Sequence, residues 1–277
     1  HICSSYNLKN IKMTRLVIIF LIAITAVISE SHAQEFQGIA TYKTQRKLDI
    51  KIDSTQVGGM QDELMAMLKK QFEKTYTLTF NKEESLYKEE ESLAPPSIGN
   101  TMVVMTMGGS GELYKNIKSK RFVKQSDLLG KMFLIQDSLK TTSWKLKGDT
   151  KNIGEYTCYK ATLERAVDAD TFSDEDTKKT QTVTAWYTPQ IPVSNGPEEF
   201  QGLPGLILEL SYDSQTILCS KVLLNPAKQV VIKEPSSGTT VTQNEFDAIM
   251  IKKMKEMESQ YGRDDGEGNS FKIEIRN

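Results

Sequence analysis

The alternation of apolar and polar residues along the chain predicts a long series of short strands bracketed by two amphipathic helices. Phe36 to Lys43 reads as a first strand, with Ile39 and Thr41 on one face and Ala40 and Tyr42 on the other. Met60 to Lys74 has helical spacing, with Met60, Leu64, Met67, Leu68 and Phe72 on one face. Asp62 and Glu63 at its start and Lys69, Lys70 and Lys74 at its end suit the helix dipole. Thr75 to Asn81 alternates cleanly as a half-buried strand, and Glu84 to Glu90 reads as its hairpin partner with Leu86 inward. Strands follow at Glu112–Ile117, Arg121–Gln125, Lys131–Gln136, Ser143–Lys147, Tyr156–Glu164, Thr180–Tyr187, Leu206–Tyr212, Thr216–Leu223 and Gln229–Lys233. Turn residues recur at Gly148-Asp149, Asp213-Ser214 and Asn225-Pro226. Thr242-Gln243-Asn244-Glu245 is a capping box, with Val241 and Phe246 as the hydrophobic staple. The helix it opens carries Phe246, Ile249, Met250, Met254, Met257 and Tyr261 on one face, and Gly262 suits its C-terminal cap. A polar tail follows from Arg263, and Phe271 to Ile275 alternates as an edge strand. The expected fold class is α+β: a large curved antiparallel meander with two amphipathic helices packed on one face.

The densest turn chemistry precedes the most apolar strand. Pro189, Pro192, Pro197 and Pro204 punctuate the approach to Leu206, Ile207, Leu208 and Leu210, a run interrupted only by Glu209. Such a run is a strand buried on most of both faces. Leu203-Pro204-Gly205-Leu206 suits a type II turn, since proline presets φ at the second position and glycine accepts positive φ at the third. The turn is expected to serve folding rather than chemistry.

The run TAWYTPQIPVSNGPEEFQGLPGLILEL resembles the signature of the GLPGLI family, whose name is spelled by Gly202, Leu203, Pro204, Gly205, Leu206 and Ile207. Trp144-Lys145-Leu146 and Ile153-Gly154-Glu155-Tyr156-Thr157-Cys158-Tyr159-Lys160-Ala161 are similar to that family too, so its specific motifs lie between residues 144 and 210. The resemblance implies an exported protein of the Gram-negative cell envelope. It implies no reaction, and no catalytic residue is carried over from it.

The N-terminal region agrees with export. Met13-Thr14-Arg15 and the apolar run Leu16 to Val27 form the two halves of a secretory signal peptide, and Ser31 and Ala33 supply the small residues for cleavage before Gln34. The apolar run is shorter than the roughly 18–20 residues that span a bilayer. The expected organisation is therefore an upstream stretch 1–12 outside the native structure, a signal peptide 13–33, and one domain over 34–277 with a mobile tail from about 263. No lipid-accepting Cys follows the apolar run and no second run is long enough to span, so the expected product is free of the membrane once cleaved.

Composition then removes function classes. Cleavage discards Lys9, Lys12, Arg15 and Glu30 and leaves a net charge of about −3, which gives no nucleic-acid footprint. Both histidines, His1 and His32, are discarded as well. Ser–His–Asp and Cys–His catalysis and His-based metal sites go with them, and no metal or cofactor is expected. Glu198-Glu199 is a carboxylate pair of a kind that chance supplies in an acid-rich chain. The acidic loop Asp168, Asp170, Asp174, Glu175, Asp176 fails the EF-hand template and reads as a solvated hairpin tip. Residues 92–111 form a long break; Gly108-Gly109-Ser110-Gly111 within it is not followed by Lys-Ser/Thr and makes no phosphate loop. Cys158 and Cys219 remain in an oxidising compartment and predict a disulfide.

What is left is mostly binding. The leading expectation is a carrier module in which the sheet and helices enclose an apolar ligand or a polypeptide segment, with Met67, Leu68, Met250 and Met254 as candidate lining residues, since Met adapts to varied partners. The alternative is an envelope interaction protein without a ligand cavity, which presents the Pro/Gly-rich 189–205 loop to a partner. A carboxylate enzyme ranks third.

Overall fold

The structure is a computed structural model and describes residues 36–46, 73–90, 111–168 and 178–261. Twelve strands form a single sheet: β1 (Gln37–Arg46), β2 (Thr75–Asn81), β3 (Glu84–Glu89), β4 (Glu112–Asn116), β5 (Arg121–Leu128), β6 (Lys131–Ser138), β7 (Lys145–Ile153), β8 (Tyr156–Asp168), β9 (Lys178–Thr188), β10 (Leu206–Tyr212), β11 (Gln215–Leu224) and β12 (Thr239–Val241). One helix, α1 (Gln243–Tyr261), follows them. The strand order is β12-β6-β5-β4-β3-β2-β1-β11-β10-β9-β8-β7. β1 thus lies inside the sheet and pairs antiparallel with both β2 and β11. The chain meanders away from it through β6, then returns from the far edge, β7 to β11, to close on its other side. Only the short β12 is parallel to its neighbour, β6.

The predicted meander is therefore present, with differences that have physical reasons. Among the described residues there is one helix, not two. The expected helix over 60–74 lies outside them except for Glu73 and Lys74, which are not helical; Lys74 instead donates its backbone N–H to Thr44 Oγ1 at 3.1 Å. Leu86 faces away from the main core. Its neighbours Ser85 and Tyr87 are the buried residues of β3, and Leu86 packs with Tyr114, Val123, Leu134 and Ile232 on the opposite face. Gly148-Asp149 is not a turn: β7 runs through it, and the register with β8 shifts between Leu146 and Thr150. This bulge, with Lys145, Lys147 and Lys151, blunts an edge strand that would otherwise invite pairing. The stretch Gln229–Lys233 is extended but joins no ladder. It belongs to a strap, residues 225–238, that carries the chain from β11 to β12, at the edge opposite β7. Asn225 N–H donates to Gln37 O at 2.8 Å, Val230 N–H to Gln37 Oε1 at 3.0 Å, and Arg121 grips both oxygens of Glu234. Ile232 fills the gap beneath the strap.

The expected disulfide is absent: Cys158 and Cys219 are both buried free thiols. The topology explains it, because β9 and β10 lie between their strands. Three strand spacings of ~4.8 Å separate β8 from β11 along the sheet, whereas a bridge needs Cα atoms within about 7 Å.

The main core lies on one face of the sheet, here the inner face. Ala40 and Tyr42 of β1, Leu78 and Phe80 of β2, Tyr87 of β3 and Leu113 of β4 point into it, joined by Leu163, Val183, Ala185 and Leu210 from the returning strands. A second cluster, Leu128, Phe133 and Ile135, receives α1. The helix begins with the predicted capping box: Thr242 N–H donates to Glu245 Oε2 at 2.7 Å, and Glu245 N–H to Thr242 Oγ1 at 3.3 Å. Val241 and Phe246 share one cluster, as a staple requires, and the Phe246 ring meets Phe133 edge to face at 5.4 Å. α1 is therefore moored by its first turns. Farther along, Ile251 is 44% exposed.

Candidate functional site

The signature segment lies across the inner face and is built into it. Ile191, Val193, Phe200 and Leu203 are all buried in the main core, as are Leu206, Ile207, Leu208 and Leu210 of β10. The segment is folded by tight local turns. Val193 N–H donates to Ile191 O at 2.8 Å, Asn195 N–H to Val193 O at 2.9 Å, and Gly205 N–H to Leu203 O at 2.8 Å. Each closes a three-residue γ-turn, two of them centred on a proline. The turn at Pro204 is thus tighter than the type II turn its sequence suggests. Two bonds then fasten the segment to β10: Leu206 N–H to Ile191 O and Ile207 N–H to Asn195 O, both 3.0 Å. From β1, the Tyr42 hydroxyl donates to Ile207 O at 2.8 Å.

Gly205 is where this packing is tightest. Its φ is +155°, and a Cβ there would stand 2.2 Å from the Thr188 carbonyl oxygen and 2.8 Å from Pro189 N. Both are backbone atoms of the strand end from which the segment departs. Glycine is required by close approach more than by turn type. Gly202 has φ +96°, and a Cβ there would meet Thr142 Oγ1 at 2.6 Å.

At the centre of the segment stands a residue to which the sequence drew no attention. Lys115 on β4 is completely buried. Its Nζ donates to three carbonyl oxygens of the 196–200 turn: Gly196 at 2.9 Å, Glu198 at 2.7 Å and Phe200 at 3.4 Å. An ammonium has three protons, so three acceptors match it fully. The carbonyls converge because residues 197–200 form a turn closed by Phe200 N–H to Pro197 O, with Glu198 at φ +51°. Burial pushes the Lys115 ammonium down to about 7, against the opposing pull of Glu199 and Glu198. The isolated signal for it is a lysine at an inward position of β4, between Leu113 and Ile117 in the alternation, which reads from sequence as an ordinary surface lysine.

Around the turn the polar groups form a continuous set. Glu198 accepts the Tyr212 hydroxyl at 2.8 Å and Gln215 Nε2 at 3.4 Å. Burial, with Glu199 beside it, lifts its carboxyl to about 7, while Tyr212, Lys124 and Arg165 pull the other way. Arg165 on β8 donates to Glu199 at 2.7 Å and to Gln181 at 2.7 Å. Its guanidinium lies 4.9 Å from the Phe200 ring centre and 5.6 Å from that of Tyr212. Gln181 in turn donates to Asp213. Phe200 is flanked by Trp144 at 6.2 Å, whose Nε1 donates to Gln201 O at 2.8 Å. Tyr87 stacks on Tyr76 at 4.8 Å and meets Tyr42 edge to face. Burial, and then the charge of Glu198, hold the Tyr87 phenol well above its ordinary value. The Tyr87 hydroxyl and those of Ser85 and Ser126 are buried without a hydrogen-bond partner in the structure.

This arrangement can bind and hold. The Lys115 donors are all engaged and Glu199 is tied to Arg165. Among the described residues no group of three or more His, Cys, Asp and Glu side chains is placed to hold a metal ion. Of the other candidates, the two described methionines, Met250 and Met254, lie on α1 rather than at the Lys115 turn. Met67 and Leu68 lie outside the described residues. Met250 packs against the Phe133 cluster, and Met254 is half-buried farther along α1. A shallow, open concavity on that helix is lined by Ala248, Ile251, Lys252 and Lys255, without either Met. No described helix is long and apolar enough to cross a membrane.

Among solved structures, the chain is similar to PNGF-II in a C2 crystal form, at 14% identity and a TM-score of 0.48 over 79% of this chain and 33% of that one. The P21 form of PNGF-II gives 13% identity and the same TM-score and coverage. LprF from Mycobacterium bovis gives 10% identity and a TM-score of 0.26 over 73% of this chain and 90% of that one. The chain spans about a third of the length of the PNGF-II chains. No curated protein matches it in sequence. Trp144 to Glu209 take in Arg165, Gln181, the 191–205 segment and the Gly202–Ile207 motif of the GLPGLI resemblance, and these residues, 144–209, match the model of a family described as a protein of unknown function, Porph_ging.

Proposed function

We propose that the protein is exported to the periplasm or outer envelope and acts there by binding, as a carrier for an apolar ligand or a polypeptide segment. One observation carries the reading. The inner face of the sheet seats a proline-rich, turn-folded apolar segment of the chain itself, with Ile191, Val193, Phe200 and Leu203 buried against it. A face of this kind suits apolar polypeptide. α1, packed through Phe246, Ile249 and Met250 and exposed at Ile251, adds a helix beside that face.

The rival reading, a free 189–205 loop offered to a partner, fits less well. Ile191, Val193, Asn195, Phe200 and Leu203 are buried, and only points such as Pro189, Gln190, Pro192, Glu199 and Pro204 reach the surface. The direct test is uptake of N-phenyl-1-naphthylamine by the natively folded protein, with near-ultraviolet circular dichroism confirming that packing is intact. Saturable enhancement of its fluorescence supports the carrier. A folded protein that takes up no dye would remove it. Export is tested separately: N-terminal sequencing of the secreted product is expected to begin at or near Gln34.

A further inference from the structure

We infer that the Ile191–Leu203 segment is a displaceable plug, an internal occupant of the sockets that an external apolar peptide takes when it binds. This deepens the binding reading above and rests on it.

Three features separate this segment from ordinary core. First, its backbone is closed on itself by γ-turns, and it reaches the sheet backbone through three bonds, Ile191 N–H to Thr188 O at the end of β9 and the Leu206 and Ile207 N–H groups of β10 to Ile191 O and Asn195 O. Its other backbone groups are not tied into the ladder, so it can leave without breaking a strand pairing. Second, its two ends lie together, since Ile191 O accepts from Leu206 N–H and the Gly205 backbone packs against Thr188 and Pro189. A loop with closed ends swings out as a unit. Third, its central anchor is Lys115, a buried ammonium. A Met or Leu in an apolar wall would have been the cheaper filler, because burying a cation forfeits its hydration. When the segment leaves, Lys115 recovers that hydration, so this contact opposes release far less than an apolar contact of the same size. The polar rim has the same character: Arg165–Glu199 and Tyr212–Glu198 join groups that water solvates well once they separate. Two of the unpaired hydroxyls, Ser85 opposite Lys115 and Tyr87 opposite Leu113, lie on β3 next to the socket and give an incoming backbone groups to bond.

The plug commits the ligand to a class: a peptide with apolar side chains at intervals and a turn whose carbonyl oxygens converge to accept from Lys115. The test uses the full exported chain. Native-state hydrogen exchange read by mass spectrometry should show the amides of Val193, Asn195, Leu206 and Ile207 exchanging at least tenfold faster than ladder amides of β11. A synthetic peptide of sequence 191–203, added in excess to a Trp186→Phe protein, should change the fluorescence of Trp144, which touches Phe200 and Gln201. Exchange of the segment only at the rate of β11 would overturn the plug, and so would an inert peptide. Dye uptake with the segment still fully protected would keep the binding function and discard the plug. Peptide binding without dye uptake would keep the plug and discard the apolar-ligand carrier.

Discussion

Lys115 Nζ and the carbonyl oxygen of Glu198 lie 2.7 Å apart, across 83 residues of sequence, and this contact joins the two halves of the sheet. Lys115 belongs to β4 in the outgoing meander, and Glu198 to the segment that feeds β10 in the returning one. The ammonium is the donor for three carbonyls that no backbone N–H satisfies from that side. Lys115→Ala is expected to leave these acceptors unpaired and open a cavity, at about 3 kcal/mol or more. Lys115→Met keeps the stem volume and removes the buried charge, so its loss is expected to be smaller, about 1–2 kcal/mol. Urea denaturation of the three proteins checks the order. Equal stability of Lys115→Ala and the parent would contradict the role given to this contact.

The same pair predicts a pH dependence with two limbs. Lys115 titrates at about 7 in the folded protein against an ordinary 10.5. Between those values the unfolded chain binds more protons, so this group makes stability rise with pH. Glu198 titrates at about 7 against an ordinary 4.5. Between those values the folded protein binds more protons, so this group makes stability fall as pH rises. The charges that face them are Glu199, Arg165 and Lys124, with Tyr212, Tyr87 and Tyr76 as phenols. Together the two limbs place a stability minimum near neutrality. Relative to the parent, Glu198→Gln should flatten the acid limb and Lys115→Met the alkaline limb. Parallel curves for all three proteins from pH 5 to 10 would show that neither group is perturbed.

Gly205→Ala is expected to be among the most damaging single substitutions in the segment. The new Cβ would meet the Thr188 carbonyl oxygen at 2.2 Å and its carbon at 2.5 Å. These are backbone atoms of β9, held in the ladder with β10 through Thr188 and Leu206, so they cannot swing aside as a side chain can. The expected cost is about 2–4 kcal/mol, above the ~1 kcal/mol of an ordinary glycine effect. Thermal melting of the variant reads it directly. An unchanged midpoint would mean that the Thr188–Gly205 crossing relaxes freely.

The meander, the capping box and the buried β10 run were legible because each rests on local pattern. The Thr242/Glu245 box and the Phe246 staple needed four or five residues to recognise, and Leu206 to Leu210 needed only their composition. Leu86 was misplaced because alternation gives two faces but does not say which is covered. Here Ser85 and Tyr87 take the deeper face, and the strap carrying Ile232 covers the other. Gln229–Lys233 alternates like a strand for the same reason: Val230 and Ile232 need only something to lie on, and a ladder partner is not part of that requirement. Lys115 was invisible because its acceptors are backbone atoms 81 to 85 residues away, and carbonyls carry no sequence signature. The Glu198-Glu199 pair was noticed as carboxylates, whereas the structure uses the carbonyl of Glu198 as much as its side chain. The cysteine pairing failed on topology, since the count of two was right and the strand order was not readable.

That topology yields the last prediction. Cys158 and Cys219 belong to strands separated by β9 and β10, and each thiol is turned back on its own strand: Cys158 toward Tyr156 O at 3.7 Å and Cys219 toward Lys221 O at 3.4 Å. Burial pushes them up to about 11 and about 12 respectively. The thiolate is the reactive form, so both groups are inert at neutral pH on two counts, access and ionisation. A thiol reagent added to the native protein without reductant is therefore expected to label neither cysteine. Unfolding the exported chain from Gln34, which no longer carries Cys3, in guanidinium and still without reductant should release two reactive thiols per chain, because no bridge exists to hide them. The rate of labelling in the native state should follow global opening of the sheet rather than release of the 191–203 segment, since β8 and β11 stay paired when that segment leaves. Fewer than two thiols in denaturant would restore the disulfide and require β8 and β11 to approach in a way the present strand order forbids.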